Sequence, residues 1–127
     1  MGQYLIDNNV ISNYFTATFS EKVMYFISNV IDQTPNISVI TEIEALSWNA
    51  PDEIYETIIK DFIESANILP LSKKVVTESV KIRRSRKIKT PDAIIAATAI
   101  VHDFTLLSSD LDFKRIPNLK IVNPFDL

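Results

Sequence analysis

Four acids stand where chemistry is easiest to build in this chain: Asp7, Glu44, Asp92 and Asp110. Asp7 ends the short apolar run Tyr4 to Ile6, and Glu44 falls in the first turn after the run Ile37-Ser-Val-Ile40. Asp110 comes two residues after the run Phe104 to Ser108, and Asp92 opens a small-residue helix leading into that run. If these runs are strands of a parallel sheet, their C-terminal ends share one edge, where ligands bind at the reversal of strand order. Three acids then meet on one rim, and Asp92 joins them if its helix start packs beside the first strand.

Such a gathering is unfavourable without a counter-charge. Two like charges about 4 Å apart at a surface-like dielectric cost on the order of 4 kcal/mol, so the group must protonate or bind cations. The chain has no Cys and a single His, His102, which excludes thiolate and poly-His zinc sites. Hard, oxygen-seeking ions such as Mg²⁺ or Mn²⁺ match the remaining donors. Two of them about 4 Å apart can activate water and stabilise the leaving oxygen of a phosphodiester, so hydrolysis of that bond is the expected chemistry. Each acid also has a purely structural reading. Asp92 and Glu44 could complement a helix start, and Asp110 could be a turn residue. Asp7 fits such a role least well, because an ion is seldom left unpaired at the end of a buried strand.

The elements that must position these acids can be read in order. Tyr4 to Ile6 is a buried strand, and a helix follows from Asn9 to Phe15. Ser20, followed by Glu21, caps a second helix with Val23, Phe26, Ile27, Val30 and Ile31 on one face; Met24 and Tyr25 fall outside that stripe. Ile37 to Ile40 reads as the second strand. Thr41 is the expected N-cap of the next helix, with Glu44 completing a capping box. Pro51-Asp52 restarts a helix with Ile54, Tyr55, Ile58, Ile59, Phe62 and Ile63 as its apolar positions. Asn67 to Leu71 is a short strand limited by Pro70, and Ser72 caps a helix toward Arg86. Thr90-Pro91-Asp92 reads as N-cap, first helical residue and dipole partner of the buried helix AIIAATAIV. Phe104 to Ser108 and Leu119 to Val122 are the last strands. Alternation of this kind implies a three-layer α/β/α domain around a parallel sheet of four to five strands.

Composition agrees with an ordinary globular chain. The 127 residues are 46% hydrophobic and 23% charged, enough for one domain spanning residues 1–127. No stretch approaches the roughly 20 apolar residues of a membrane span. Asp7 interrupts the place where a signal peptide needs its apolar core, so cytoplasmic residence is expected. The net charge of −3 does not by itself point to nucleic acid, but six of the 13 basic residues lie between Lys81 and Lys89. Arg83, Arg84, Arg86, Lys87 and Lys89 could grip RNA phosphates, or could equally form a solvated helix end favoured by the dipole.

Four blocks of the chain together resemble the PIN-domain nucleases, and among them the VapC-type toxins of toxin–antitoxin pairs. YLIDNNVIS, from Tyr4 to Ser12, is similar to the family's opening. ISVITEIEAL, Ile37 to Leu46, resembles its second block, in which an acid falls three residues after a Thr. KTPDAIIAATAI, Lys89 to Ile100, carries the most specific signature, Asp-Ala-x-Ile-Ala-Ala. TLLSSDLDFKRIPNLKIVNP, Thr105 to Pro124, resembles the closing block. The resemblance implies a Mg²⁺- or Mn²⁺-dependent endoribonuclease, a homodimer, and silencing by a cognate antitoxin. It makes Asp7, Glu44, Asp92 and Asp110 metal ligands or carboxylates that orient the attacking water. Asp112 would contribute through water, and Asn9 and Ser108 would support the site by hydrogen bonding.

The chain also departs from the family. Asn8 replaces the more usual Thr or Ser. Glu42 competes with Glu44 as the second ligand, the Thr-x-x-Glu spacing favouring Glu44. Ala45-Leu-Ser-Trp48 replaces a small, Gly-bearing turn, and Trp48 could pack inward or touch a partner. Asn8 and the low net charge support an alternative, a PIN-like domain that binds RNA or protein without cutting. A third class, a domain that accepts a phosphoryl group on a strand-end Asp, wants a Lys near the acids and further early acids, which the sequence does not offer.

Overall fold

The computed structural model describes residues 3–127. Strand β1 (Tyr4–Ile6) is followed by helices α1 (Asn8–Phe15) and α2 (Glu21–Asp32). Strand β2 (Asn36–Ser38) leads into α3 (Val39–Leu46) and α4 (Glu53–Ser65), and β3 (Asn67–Leu69) into α5 (Lys73–Ser85) and α6 (Thr90–His102). Strand β4 (Thr105–Leu107) precedes a 3₁₀ helix (Leu111–Arg115), and β5 (Ile121–Val122) precedes a 3₁₀ turn (Pro124–Asp126). The five strands form one all-parallel sheet in the order β3-β2-β1-β4-β5. Chain order runs outward from β1 through β2 to β3, then resumes at β4 on the other side of β1. The reversal therefore lies between β1 and β4, as the acid placement requires.

Alternation along the strands sends successive side chains to opposite faces. Leu5 and Leu106 join a core with Val75 and Ile82 of α5, the alanines and Ile95 of α6, and Phe113 and Ile116. Ile6, Ile37 and Leu107 join the opposite core, built with Val10 and Ile11 of α1, Val23 and Ile27 of α2, and Ile59, Phe62 and Ile63 of α4. These are the expected three layers. Ala93, Ala96, Ala97 and Ala99 are completely buried, so their small side chains let α6 lie close to the sheet and bring its N-terminal turn up to the rim. Met24 packs against the second core while Tyr25 is exposed, and Trp48 packs inward beside Tyr55. His102 is exposed at the end of α6 and stacks on Phe104.

Beyond a one-residue shift at the start of α1, two helix starts differ from the sequence expectation. Strand β2 stops at Ser38, and the β-branched pair Val39-Ile40 is helical. The buried Ser38 hydroxyl accepts from the Thr41 amide at 3.1 Å and donates to the Thr41 hydroxyl at 3.2 Å, so Ser38 is the N-cap and Thr41 the third helical residue. A cap bond outweighs the weak strand preference of two residues. No capping box involves Glu44, which falls in the second turn, while Glu42 occupies the first. At α6 the N-cap position belongs to Lys89 and no side chain caps the helix; Thr90 is already helical. Ser38→Ala should therefore cost about 0.5–2 kcal/mol of stability in urea unfolding. Thr90→Ala should stay within about 0.5 kcal/mol of the wild type; equal losses would contradict these caps.

Candidate metal centre

Asp7 sits on the floor of the β1/β4 crevice and is 5% exposed. Its main-chain N–H continues the β1–β4 ladder by donating to the Leu107 carbonyl at 3.0 Å. One carboxylate oxygen, Oδ1, accepts from the Asn8 amide at 2.9 Å, which makes Asp7 the N-cap of α1. The other, Oδ2, accepts from the Ser108 hydroxyl at 2.7 Å and from Asn9 Nδ2 at 3.0 Å. The Asn9 side-chain oxygen accepts in turn from the Ser109 amide at 3.2 Å, and the Ser108 hydroxyl accepts from the Asp110 amide at 3.1 Å. Asn9 and Ser108 thus lace the loop after β1 to the loop after β4 and hold Asp7 between them. The Asn8 contribution comes from its main chain, so that bond is indifferent to the replacement of Thr or Ser at this position.

Above this floor stand three acids. One carboxylate oxygen from each of Asp92, Asp110 and Asp112 lies within 4.8 Å of the others. Asp92 and Asp110 are half-buried and Asp112 is exposed. Asp92 projects from the first turn of α6. Asp110 caps the 3₁₀ helix by accepting from the Asp112 amide at 2.9 Å, and this tight turn folds Asp112 back toward the group. Asp112 is therefore a direct member of the cluster, closer than the sequence reading placed it. The Asp-x-Asp spacing ahead of an apolar Phe113 was the signal, since an Asp readily closes such a turn on the amide two residues on.

Three carboxyl groups here, those of Asp7, Glu44 and Asp92, resist ionisation. Burial is the largest effect at Asp7 and raises its pKa; the charges of Asp92 and Asp110 raise it further against the Ser108 and Asn8 hydrogen bonds. Glu44 is the most exposed of the four expected acids. Partial desolvation and then the charges of Asp7 and Asp92 raise it, opposed by the Lys89 ammonium. Asp92 is raised by desolvation and by Asp110, again opposed by Lys89. So all four acids expected from the sequence face one rim. Asp92, Asp110 and Asp112 form its tightest group, with Asp7 and Glu44 as electrostatic neighbours. Glu42 is not among the charges acting on these groups.

The basic run divides. Arg83 donates through Nε to the Ile88 carbonyl at 3.1 Å and fastens the α5–α6 loop. Arg86 reaches across to the 3₁₀ helix, while Arg84 and Lys87 are exposed. Lys89, the member of the basic run three residues before Asp92, lies close enough to Glu44 and Asp92 to act on both.

Comparison with known proteins places this arrangement. The PIN-domain family model matches residues 4–119. No curated protein sequence matches. Among solved structures, a toxin–antitoxin complex from Klebsiella pneumoniae is similar over 98% of this chain and 100% of its own, at 28% identity and a TM-score of 0.77. The DNA-bound VapBC of Salmonella typhimurium shares the fold at 23% identity and a TM-score of 0.76, covering 98% of this chain and 99% of that one. The promoter-bound VapBC2 of Rickettsia felis does so at 21% identity and a TM-score of 0.76, covering 94% and 97%. With the family match spanning nearly its whole length and the acids gathered at the sheet reversal, the chain belongs to the PIN-domain family.

Proposed function

We propose that this PIN domain is a divalent-cation-dependent endoribonuclease and the toxin of a toxin–antitoxin pair. The observation that carries the reading is the meeting of the Asp92, Asp110 and Asp112 carboxylates within 4.8 Å. Among the described residues, no lysine or arginine forms an ion pair with them. An all-carboxylate donor set of this kind suits Mg²⁺ or Mn²⁺. Such an ion supplies neutralising charge and lowers the pKa of water for in-line attack on phosphorus.

The chain's own residues divide the remaining work. Asp92 and Asp110, with Asp112, would hold the ion from α6 and the 3₁₀ helix. Asp7 faces the group from a fixed orientation, locked by Asn9 and Ser108. Glu44 approaches from α3 and would orient the attacking water. No side chain need form a covalent bond to the substrate. RNA as substrate, a cognate antitoxin, a homodimer and cytoplasmic residence belong to the same reading, supported by the resemblance and by the toxin–antitoxin complexes among the similar structures. Ile43 and Leu46 of α3 and Ile54 of α4 are large apolar residues left more than half exposed, as a surface awaiting a protein partner would be. Among the described residues, no helix is long and apolar enough to cross a membrane.

The rival readings fare less well. A non-cutting domain drew support from Asn8, whose bond to Asp7 is made by the main chain. A phosphoryl acceptor gains the nearby Lys89, but Asp7 is buried and both its oxygens accept hydrogen bonds. Such a carboxylate is poorly placed to attack an incoming donor.

Two outcomes follow. Purified chain with Mn²⁺ should cleave RNA, Asp92→Asn should abolish cleavage, and Ser108→Ala, which frees Asp7, should slow it by about 10–100-fold. Undiminished cleavage by Asp92→Asn would identify a contaminant. The second concerns stability. A carboxyl whose folded pKa is raised favours the folded state while protonated, and that contribution is lost as pH rises through the raised value. Metal-free protein should accordingly gain stability from these groups on acidification from pH 7 toward the ordinary carboxylate range, and saturating Mn²⁺ at pH 7 should stabilise it by binding only the native state. Both increments should shrink in Asp92→Asn. Differential scanning calorimetry checks this; full increments in the variant would overturn the assignment.

A further inference from the structure

A second charged feature adjoins the acid cluster, and it has the opposite sign. Arg86 donates through Nε to the Arg115 carbonyl at 3.2 Å, and through Nη1 to the Ser85 carbonyl at 2.9 Å. Arg115 returns the contact by donating through Nη2 to the Lys87 carbonyl. The two guanidinium groups are therefore latched reciprocally, each to the main chain beside the other, and they pin the loop after α5 against the end of the 3₁₀ helix. Lys87 and Lys114 flank them, and all four side chains belong to exposed residues. Among the described residues none of these four cations is within ion-pair distance of a carboxylate; the ion pairs found are Lys81–Glu78 and Lys120–Asp103.

Holding like charges together without a counter-ion is unfavourable, and here the main chain enforces it. The arrangement also leaves most of each guanidinium's five donors unused, in fixed orientations that lose little freedom when an anion arrives. Its position is set by two elements that also carry the acids. The 3₁₀ helix begins at Asp110 and Asp112 and ends at Lys114 and Arg115; the loop through Arg86 and Lys87 runs directly into α6 and Asp92. The acids and these four cations therefore share two chain segments, and the latch brings Arg86 and Arg115 together where those segments meet.

We infer that Arg86, Lys87, Lys114 and Arg115 form a phosphate-binding shelf that holds the RNA backbone beside the cleaved bond. This rests on the ribonuclease reading for the identity of its polyanion and extends it to a binding surface. Two members, Lys114 and Arg115, lie outside the basic run of the sequence, and Arg83 of that run is committed to the Ile88 carbonyl and is not part of the shelf. Contacts of this kind neutralise phosphates without reading bases, so they set affinity and register and leave sequence choice to other loops.

Fluorescence anisotropy with a labelled, mixed-sequence single-stranded RNA oligonucleotide in EDTA separates binding from cleavage. Each phosphate contact to a single strand contributes about 0.7 to the slope of log affinity against log salt. Removing two should flatten that slope by about 1.4, and at 0.1 M salt weaken binding by about 25-fold relative to an unchanged intercept at 1 M. Arg86→Gln/Arg115→Gln should show this loss. Lys87→Gln/Lys114→Gln should show a similar one without touching the latch, which covers the case in which the arginine variant loosens the loop. Lys22→Gln on α2 should leave both quantities unchanged. If the wild type binds but both double variants keep its affinity and slope, the shelf is wrong and the nuclease reading stands. If the wild type binds no RNA under these conditions, the shelf is wrong as well, and metal-dependent cleavage judges the nuclease reading separately. Loss in the variants of binding to an acidic peptide, with RNA binding intact, would assign the surface to a protein partner and overturn the proposal.

Discussion

The repulsion among carboxylates at the β1/β4 crevice is the constraint around which the rest of this fold is arranged. Burial is the largest cause of the raised carboxyl pKa values of Asp7, Glu44 and Asp92, and the charges of their acidic neighbours raise all three further. Such a group would relax by moving apart unless stiff elements opposed it. The opposition is visible in the bonds between the two loops. Asn9 reaches from α1 to the Ser109 amide, and Ser108 bridges Asp7 to the Asp110 amide. These contacts hold the loop after β1 to the loop after β4, and the small residues of α6 let that helix approach closely enough to deliver Asp92.

The same bonds ease ionisation of the buried Asp7 carboxyl. Three donors meet its two oxygens, and hydrogen bonds to the ionised form partly offset the loss of water. The offset is incomplete, since burial still dominates and raises the pKa. Stability is therefore reduced at this rim in the free chain, a common consequence of building a site from groups that would rather separate. The cationic shelf is the complementary case: Arg86 and Arg115 are held together by main-chain carbonyls, where a phosphate rather than a metal would relieve the strain of like charge.

Much of this was readable from residues alone. Apolar runs ending in Asp7 and Ser108, and the helix start at Pro91-Asp92, place three acids on one edge once a parallel sheet is assumed. The resemblance to PIN domains rests on the same blocks. What was not readable depends on geometry that local pattern does not encode. Val39-Ile40 look like strand because they are β-branched, yet the Ser38 hydroxyl found the Thr41 amide and began a helix three residues early. Asp112 looked peripheral until the turn closed by Asp110 brought it back. Arg115 is 26 residues from Lys89 in the sequence, and only the packing of the 3₁₀ helix against the loop after α5 reveals its partnership with Arg86. Local chemistry announces the acids; long-range contacts decide which of them, and which cations, stand together.

Anomalous diffraction from crystals soaked in Mn²⁺ addresses the shared-ion arrangement most directly, because it locates the ion without reference to activity. A peak in contact with oxygens of Asp92 and Asp110, with Asp112 and Asp7 close by, is the expected result. Manganese bound elsewhere, or absent from this crevice at concentrations that saturate ordinary carboxylate sites, would contradict the assignment of these acids as a metal centre.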